Sequence, residues 1–190
     1  MTALRLSLIA ALMLAAGCET RQGFDAPSEV LAKGFRLGHV AVVADQAVMA
    51  PISRSATAEE WQQALDAAVR ERFGRLEGDA FYHLGVFVDG YAIAPPGIPL
   101  VASPKSVLII SVSLFEDQEG GKRLHEKPQQ LTVFESLSGD TVIGSGLTRS
   151  KEEQMRNLAF NAALAIEDWL NQNPQLIDPT ATAPAPAEDE

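Results

Sequence analysis

The sequence predicts an α+β fold: a single domain in which a mostly antiparallel sheet of about five strands carries two helices on one face. Two segments repeat apolar residues at helical spacing, and five segments are apolar or β-branched between turn residues. Their order along the chain is β-α-β-β-β-β-α, which is typical of a two-layer arrangement of helices on a sheet. Residues 35–172 contain all of these segments, which is enough chain for one domain.

The first predicted helix follows the stretch "SRSATAEEW". Thr57 and Glu60 have the spacing of a capping box, in which each side chain bonds the other residue's backbone N–H, and Gly74 is placed to end the helix. The apolar residues behind this cap form one helical stripe. The stripe comprises Trp61, Ala64, Leu65, Ala68, Val69 and Phe73.

The second predicted helix begins at Ser150, where Glu153 completes another capping box, and it ends before Pro174. Both tryptophans of the chain lie on the two helical stripes and are therefore predicted to lie in the core. The second stripe comprises Met155, Leu158, Ala159, Ala162, Ile166, Trp169 and Leu170.

Five segments are predicted to be strands, and the last two flank Ser-Gly-Asp as a hairpin. Their long apolar pattern leaves the face away from the helices partly apolar, with room for a binding surface. The Pro-rich stretch 91–104 is interpreted either as a preorganised apolar docking loop or as a wide connection between strands. The predicted strands are 35–43, 80–94, 106–116, 131–137 and 141–148.

The N-terminus has the pattern of a secretory signal peptide over residues 1–17. Arg5 supplies a positive charge, and the apolar run that follows to Gly17 is shorter than the roughly 20 residues that a membrane-spanning helix needs. The run ends in Ala15, Ala16 and Gly17, and the only cysteine of the chain, Cys18, comes next.

This "AAGC" sequence at residues 15–18 resembles the lipobox of bacterial lipoproteins, although the commonest lipobox has Leu where this chain has Ala15. The resemblance implies that Cys18 is acylated and becomes the first residue of the mature chain, held to the cell membrane on its periplasmic side by palmitate-type acyl chains. Two or more acyl chains hold a protein stably. Glu19, rather than Asp, implies sorting to the outer membrane. The alternative is an ordinary signal peptide cut near Ala16.

The charge of the chain disfavours whole classes of partner. The sequence has 15 basic and 25 acidic residues, and removal of residues 1–17 takes away Arg5 and leaves 14 against 25, a net charge of −11. Nucleic-acid binding needs basic patches that displace counterions, so no nucleic-acid partner is expected. An acidic surface is also repelled by anionic lipid headgroups.

The two ends of the mature chain look different from its middle. Residues 18–34 mix Gly, Pro and charges without a clear period and are predicted to form a lipidated, flexible tether. Residues 173–190 form a Pro/Ala-rich acidic tail that is predicted to be disordered, because it has too little apolar surface to offset the entropy of ordering.

No catalytic, cofactor-binding or metal-binding residues are predicted. His39, His83 and His125 lie on different segments and lack metal-ligand spacing. The glycines around Ser145 do not match the G-x-S-x-G elbow of hydrolases. The acidic run that contains Glu116, Asp117 and Glu119 is interpreted as a solvated loop rather than a cation site.

Two functional hypotheses remain. The first is a non-enzymatic accessory or interaction module of the bacterial cell envelope, with a membrane anchor and an envelope protein as its partner. The second is a small-ligand, lipid or glycan binding protein, or an unrecognised envelope hydrolase. An enclosed apolar pocket with converging polar groups would favour the second. A shallow exposed apolar surface would favour the first.

Overall fold

The computed structural model of the chain describes residues 27–95, 106–117, 121–135 and 150–181. One sheet, two long helices and two short helical segments make up this part of the chain. In chain order they are α1 (Glu29–Gly34), β1 (Phe35–Val43), β2 (Val48–Met49), α2 (Ala58–Phe73), β3 (Ala80–Ala92), β4 (Val107–Glu116), β5 (Gln129–Phe134), α3 (Lys151–Gln172) and a 3₁₀ turn (Pro174–Leu176).

The sheet is built around β3 in the order β1–β3–β4–β5, with the short strand β2 also paired to β3. β3 runs antiparallel to β4, and β4 runs antiparallel to β5. β1 and β2 are parallel to β3, which requires a crossover connection, and α2 supplies it for β1. The predicted α+β class, with a mostly antiparallel sheet of five strands and two long helices, is confirmed. β2 was not among the predicted strands, and the predicted strand 141–148 lies outside the described residues.

Both predicted capping boxes are present. Thr57 accepts a hydrogen bond from the Glu60 amide (3.1 Å), and the Glu60 carboxylate accepts one from the Thr57 amide (2.8 Å). Ser150 and Glu153 make the same reciprocal pair at 3.1 and 2.9 Å. These bonds satisfy amides that the first turn of each helix would otherwise leave unpaired. Both helices therefore begin where the sequence predicts.

The core lies between the sheet and the two long helices. Alternate residues of β3 and β4 point toward α2 and α3 and are almost fully buried, as the two-residue period of a strand requires. The helical stripes fill the other side of this layer. The fully buried side chains of this core come from both the helices and the strands. They include Trp61, Phe35, Phe73, Leu65, Leu84, Leu108, Ile110, Leu114, Leu158 and Ile166.

A buried ion pair joins the two helices across this layer. The Arg72 guanidinium bonds the Glu167 carboxylate, and both side chains are almost completely buried. Arg75 lies near the other carboxylate oxygen, at 3.7 Å. Removing two charges from water is costly and is offset only where each charge keeps its partner, so this pair fixes how α2 and α3 register against each other.

The predicted tether over 18–34 is wrong for its last six residues, which form α1. Ser28 caps this helix by accepting a hydrogen bond from the Leu31 amide (3.3 Å), and the Leu31 side chain is only 1% exposed. A six-residue helix is less than two turns long, so it shows no apolar period that a sequence pattern would reveal. The folded domain therefore includes α1 and its cap at Ser28.

The predicted boundary at residue 173 is also wrong. Pro174 is buried, Ile177 is 7% exposed, and the Tyr82 hydroxyl donates a hydrogen bond to the Ile177 carbonyl (3.0 Å). Ile177 also lies against Gly34, where an added Cβ would come within 2.6 Å of its side chain. The rest of the predicted tail, 182–190, lies outside the described residues.

Two poles can be defined along the sheet. The lower pole contains α1, Ile177 and the start of β3, because Phe35 pairs with Ala80 and Tyr82 bonds Ile177. The upper pole contains the first turns of α2 and α3 and the end of β3. In the described part of the chain, no helix has the length and apolar character needed to cross a membrane.

Candidate functional site

No helix of the described chain lies on the side of the sheet away from α2 and α3, and we call this side the open face. It carries the alternate residues of the strands that do not enter the core. The register places Gly85 of β3 opposite Ser113 of β4, and Phe87 opposite Ser111. All four are half-buried rather than buried. Apolar and small polar side chains therefore meet on a surface that solvent reaches.

A shallow groove of about 550 Å³, which we call the sheet groove, crosses the middle of the open face. Gly85 forms its floor, since the missing side chain leaves space between β1 and β4. Phe87 and Phe115 also line the groove, and the Phe115 ring packs against Gly85, 3.4 Å from where a Cβ would lie. Val43 of β1 and Pro128 extend the apolar lining outward.

A second cavity of about 310 Å³ lies nearer the upper pole, and Asp89 and Gln130 line it. Asp89 borders both cavities because the register of β3 shifts between Val88 and Gly90. Its carboxylate accepts hydrogen bonds from the Ser111 hydroxyl (2.7 Å) and the Gln130 amide (3.1 Å). Such bulges re-aim a side chain, and here the result is a polar boundary between two apolar cavities.

The glycine after the bulge is required by a close approach. A Cβ on Gly90 would lie 3.0 Å from the Val48 carbonyl oxygen, so a side chain there would push β2 away from β3. Gly90 thus allows the two-residue strand β2 to extend the sheet at the upper pole.

Exposed large apolar side chains surround the open face and the upper pole. Val43 (42% exposed), Phe81 (44%) and Phe134 (56%) occupy open-face positions on three different strands. Val48 and Ile52, at the upper pole, are more exposed still. Isolated apolar residues are common on any protein surface. The register separates these positions, since Val43 pairs with Phe87, six residues along β3 from Phe81, so the case for an interaction surface rests on the sheet groove.

The fold brings together His39, His83 and Asp117, which the sequence pattern left on separate segments. The imidazoles of the two histidines stack with their centroids 5.1 Å apart. The His83 Nδ1 atom accepts from the His39 amide (2.8 Å), and its Nε2 atom lies 3.1 Å from an Asp117 oxygen. Since Nδ1 accepts, Nε2 carries the proton and donates it to Asp117.

Both ring nitrogens of His83 are thus occupied, so neither is free to take a proton from a substrate. A Cβ on Gly38 would come within 2.5 Å of the same ring, which shows how closely β1 fits around it. This arrangement orders the β1 bulge. In the described ranges, no group of three or more His, Cys, Asp or Glu residues is placed to hold a metal ion.

His125 has a structural position as well. Its Nε2 atom accepts a hydrogen bond from the Leu114 amide (2.9 Å), and its ring meets Trp169 edge-on at 5.2 Å. These contacts tie the segment after β4 to both the sheet and α3.

Several residues singled out in the sequence lie outside the described residues: Cys18, Glu119, Ser145 and most of the stretch 91–104. Of the acidic run, Asp117 is the residue that finds a specific partner, in His83. Asp89 was missed because its role depends on a bulge. Ser111 and Ser113, alternating within an apolar strand, were the available signal for a semi-polar open face.

No family model matches the chain, and no curated protein matches it. Similar solved structures include a hypothetical protein from Chlamydia trachomatis (13% identity, TM-score 0.39, covering 78% of this chain and 100% of that one). Others are a candidate lipoprotein from Caulobacter crescentus (15%, TM-score 0.37, 76% and 93%) and a DUF330 protein from Xanthomonas campestris (12%, TM-score 0.34, 75% and 90%). These likenesses are too distant to assign a family or a function.

Proposed function

We propose that this chain is a lipoprotein of the bacterial cell envelope, attached to the membrane through Cys18, that binds a protein partner with the open face of its sheet. The observation that carries the binding role is the open face itself: a partly apolar surface with shallow grooves, over which no helix of the described chain lies. The observation that carries the anchor is the lipobox-like sequence before Cys18.

The position of the lower pole supports this arrangement. The described chain starts at Pro27 in the lower pole, and the stretch from Cys18 to Pro27 spans at most about 33 Å even when fully extended. The lower pole therefore stays close to the membrane. β3 leads from the lower pole to the upper pole, so the open face extends away from the site of attachment.

The shape of the open face favours a protein as its partner. The sheet groove is open along its length, whereas a site for a small molecule usually encloses most of its ligand. The dyad of His83 and Asp117 holds a backbone bulge and has no free ring nitrogen. We therefore assign a non-enzymatic, accessory role to the module.

A second candidate function is the binding of a small ligand, a lipid or a glycan. The volume of the sheet groove, about 550 Å³, lies within the usual range for ligand sites. Asp89 and Ser111 beside it could orient a hydroxyl-bearing molecule. An envelope hydrolase belongs to the same alternative, and the partner experiment below separates it from the first.

The anchor is tested by labelling cells with radioactive palmitate and comparing the wild type with Cys18→Ser. Because Cys18 is the only cysteine, the variant has no other thiol, and we expect it to lose the label and leave the membrane fraction. Label retained by Cys18→Ser would contradict the anchor. Density-gradient separation of the two membranes then tests the proposed outer-membrane location, with Glu19→Asp as the variant expected to shift toward the inner membrane.

The partner is tested by cross-linking in cells, purification of the anchored protein and mass spectrometry. We expect one envelope protein in near-equal amount, and we expect Ser113→Arg, which fills the sheet groove, to remove it. Asp168→Arg, on the exposed side of α3, is the matched control and should retain the partner. Recovery of the lipoprotein alone would instead support the small-ligand alternative.

A further inference from the structure

A cavity larger than the sheet groove lies on the side opposite the open face, between the two long helices. This helix groove has a volume of about 770 Å³ and is open to solvent. It follows α2 from Glu60 to Glu71 and α3 from Glu152 to Phe160. Eleven residues of rise along α2 give it a length of roughly 16 Å, or three helical turns.

The groove exists because α2 carries small side chains where it faces α3 on the solvent side. Ala64, Ala67 and Ala68 form the floor, while the large residues of α2 point to the sheet. Met155 and Phe160 of α3 complete an apolar lining. A row of alanines allows close approach of another backbone, as at helix interfaces generally.

The two helices are held together at both ends of this groove. Near the upper pole, the Lys151 ammonium bonds the Glu60 carboxylate. Beyond Glu71, the buried pair of Arg72 and Glu167 joins the helices again. The groove is therefore a feature of a fixed helix pair, which reduces the entropy that a partner would lose on binding.

The rim of the groove is acidic. Glu60, Glu71, Glu152 and Glu153 line it, against one basic lining residue, Arg156. The hydrogen bond from Lys151 lowers the pKa of Glu60, and a bond from its own backbone lowers the pKa of Glu152. Both carboxylates are charged at neutral pH. Lys151 pairs with Glu60 at one end of the groove, and Glu71, Glu152 and Glu153 leave the apolar floor between walls of net negative charge.

We propose that the helix groove binds an amphipathic helix of a partner protein, with an apolar stripe against Ala64, Ala67 and Ala68 and lysine or arginine on both flanks. An apolar groove accepts the apolar face of a helix in many recognition modules. The acidic rim selects the charge of that helix. This surface is independent of the sheet groove, so the module would hold two partners on its two sides.

The same charges disfavour other occupants. A second copy of this chain would bring its own acidic rim to the interface, and like charges facing each other across an interface are destabilising. Anionic lipid headgroups and nucleic acids are repelled for the same reason. A basic amphipathic helix can pack its apolar stripe on the alanine floor and pair its lysines or arginines with the acidic rim.

The test uses the full lipidated protein in phosphatidylcholine nanodiscs and a fluorescein-labelled model peptide of about 14 leucine and lysine residues, long enough for the three turns of the groove. A peptide with glutamate in place of lysine is the control, and empty nanodiscs are titrated in parallel. Fluorescence anisotropy should show saturable binding of the basic peptide, at least about tenfold tighter than the acidic one.

Two variants at exposed positions locate the binding. Ala67→Trp fills the groove, and Glu71→Lys combined with Glu152→Lys reverses charge on both walls. Each should weaken the basic peptide about tenfold or more. Asp168→Lys combined with Glu126→Lys makes the same change in net charge at exposed sites outside the groove and should alter affinity less than about twofold. Circular dichroism melting of every variant checks that the fold is intact.

Any of three results would overturn the proposal. The protein could bind both peptides with equal affinity, it could bind the basic peptide no more tightly than empty nanodiscs do, or the groove variants could leave the affinity unchanged. Self-association of the protein that Ala67→Trp abolishes would overturn it in favour of a second copy. Since no envelope partner is present in this assay, its failure leaves the sheet-face proposal standing, and failure of the sheet-face experiment leaves this one standing.

Discussion

Two neighbouring residues on β4 show how the two faces of the sheet differ. Ile110 points into the helix layer and is completely buried, whereas Ile109 points to the open face and is half-buried. A sheet covered on one side needs apolar residues only on that side. β3 and β4 carry them on both, and the apolar residues of the open face are the ones that the proposed binding role would use.

The largest effect on stability should come from a substitution at the contact between α2 and α3, the two helices that cover one face of the sheet. Arg72→Met leaves the Glu167 carboxylate buried without its guanidinium partner, and we expect the free energy of unfolding to fall by about 3–5 kcal/mol. Urea denaturation followed by tryptophan fluorescence measures this loss.

The matched variant is the double change Arg72→Met with Glu167→Leu, which removes both charges. It should lose less stability than Arg72→Met alone, because no unpaired charge remains in the interior. A double variant less stable than the single one would contradict this account, because Glu167 would then stabilise the fold without Arg72, through Arg75 at 3.7 Å.

The comparison of the two faces is tested directly by truncating the two isoleucines. Ile110→Ala should cost about 2–5 kcal/mol through lost burial and a cavity between sheet and helices. Ile109→Ala should cost roughly 1 kcal/mol or less, since solvent already reaches that side chain. Equal losses in urea titrations would mean that the open face is covered in the free protein and is not a free surface.

The lower pole offers a smaller test of where the folded part ends. A chain truncated after Asn173 loses Ile177 and its contact with Gly34, and we expect a loss of about 1.5–3 kcal/mol, the value of one large buried apolar side chain. A chain truncated after Ala181 keeps Ile177 and is the control. If both truncations melt at the temperature of the full chain, Ile177 contributes nothing to the core.

The smallest expected effect concerns pH at the upper pole. The bond from Lys151, and then those from Thr57, hold the pKa of Glu60 below its ordinary value of 4.5. A lowered carboxyl pKa stabilises the fold above the unfolded value and loses that stabilisation as the pH falls through the folded value. The wild type should therefore lose slightly more stability than Lys151→Met on going from pH 5 to pH 3. An identical pH dependence in thermal melts would refute a stabilising role for this pair.

Local signals predicted most of the fold. The capping boxes at Thr57 and Ser150 and the long alternating strands β3 and β4 lie within single segments, so their patterns are complete in the sequence. β2 and α1 escaped prediction because two or six residues span fewer than two periods of a strand or a helix, too few for a repeating pattern to show. Ile177 escaped it because its partner, Gly34, lies at the other end of the chain.

The sites were harder to predict than the fold because they depend on distant residues. The ion pair of Arg72 with Glu167 and the cluster of His83 with Asp117 form only when strands and helices pack. The helix groove likewise depends on two segments whose stripes each looked like ordinary core. The pattern of apolar residues in one sequence shows which faces are apolar. Which of these faces a partner covers depends on contacts with another molecule.

The most direct test of the central claim is photo-cross-linking in living cells. The photoreactive residue p-benzoylphenylalanine replaces Phe87 in the sheet groove and, in a separate strain, Asp168 on the exposed side of α3. We predict a cross-link from position 87 to one envelope protein and none to that protein from position 168. A cross-link to the partner from position 168 alone, or none to any protein from position 87, would contradict the assignment of the open face as the docking surface.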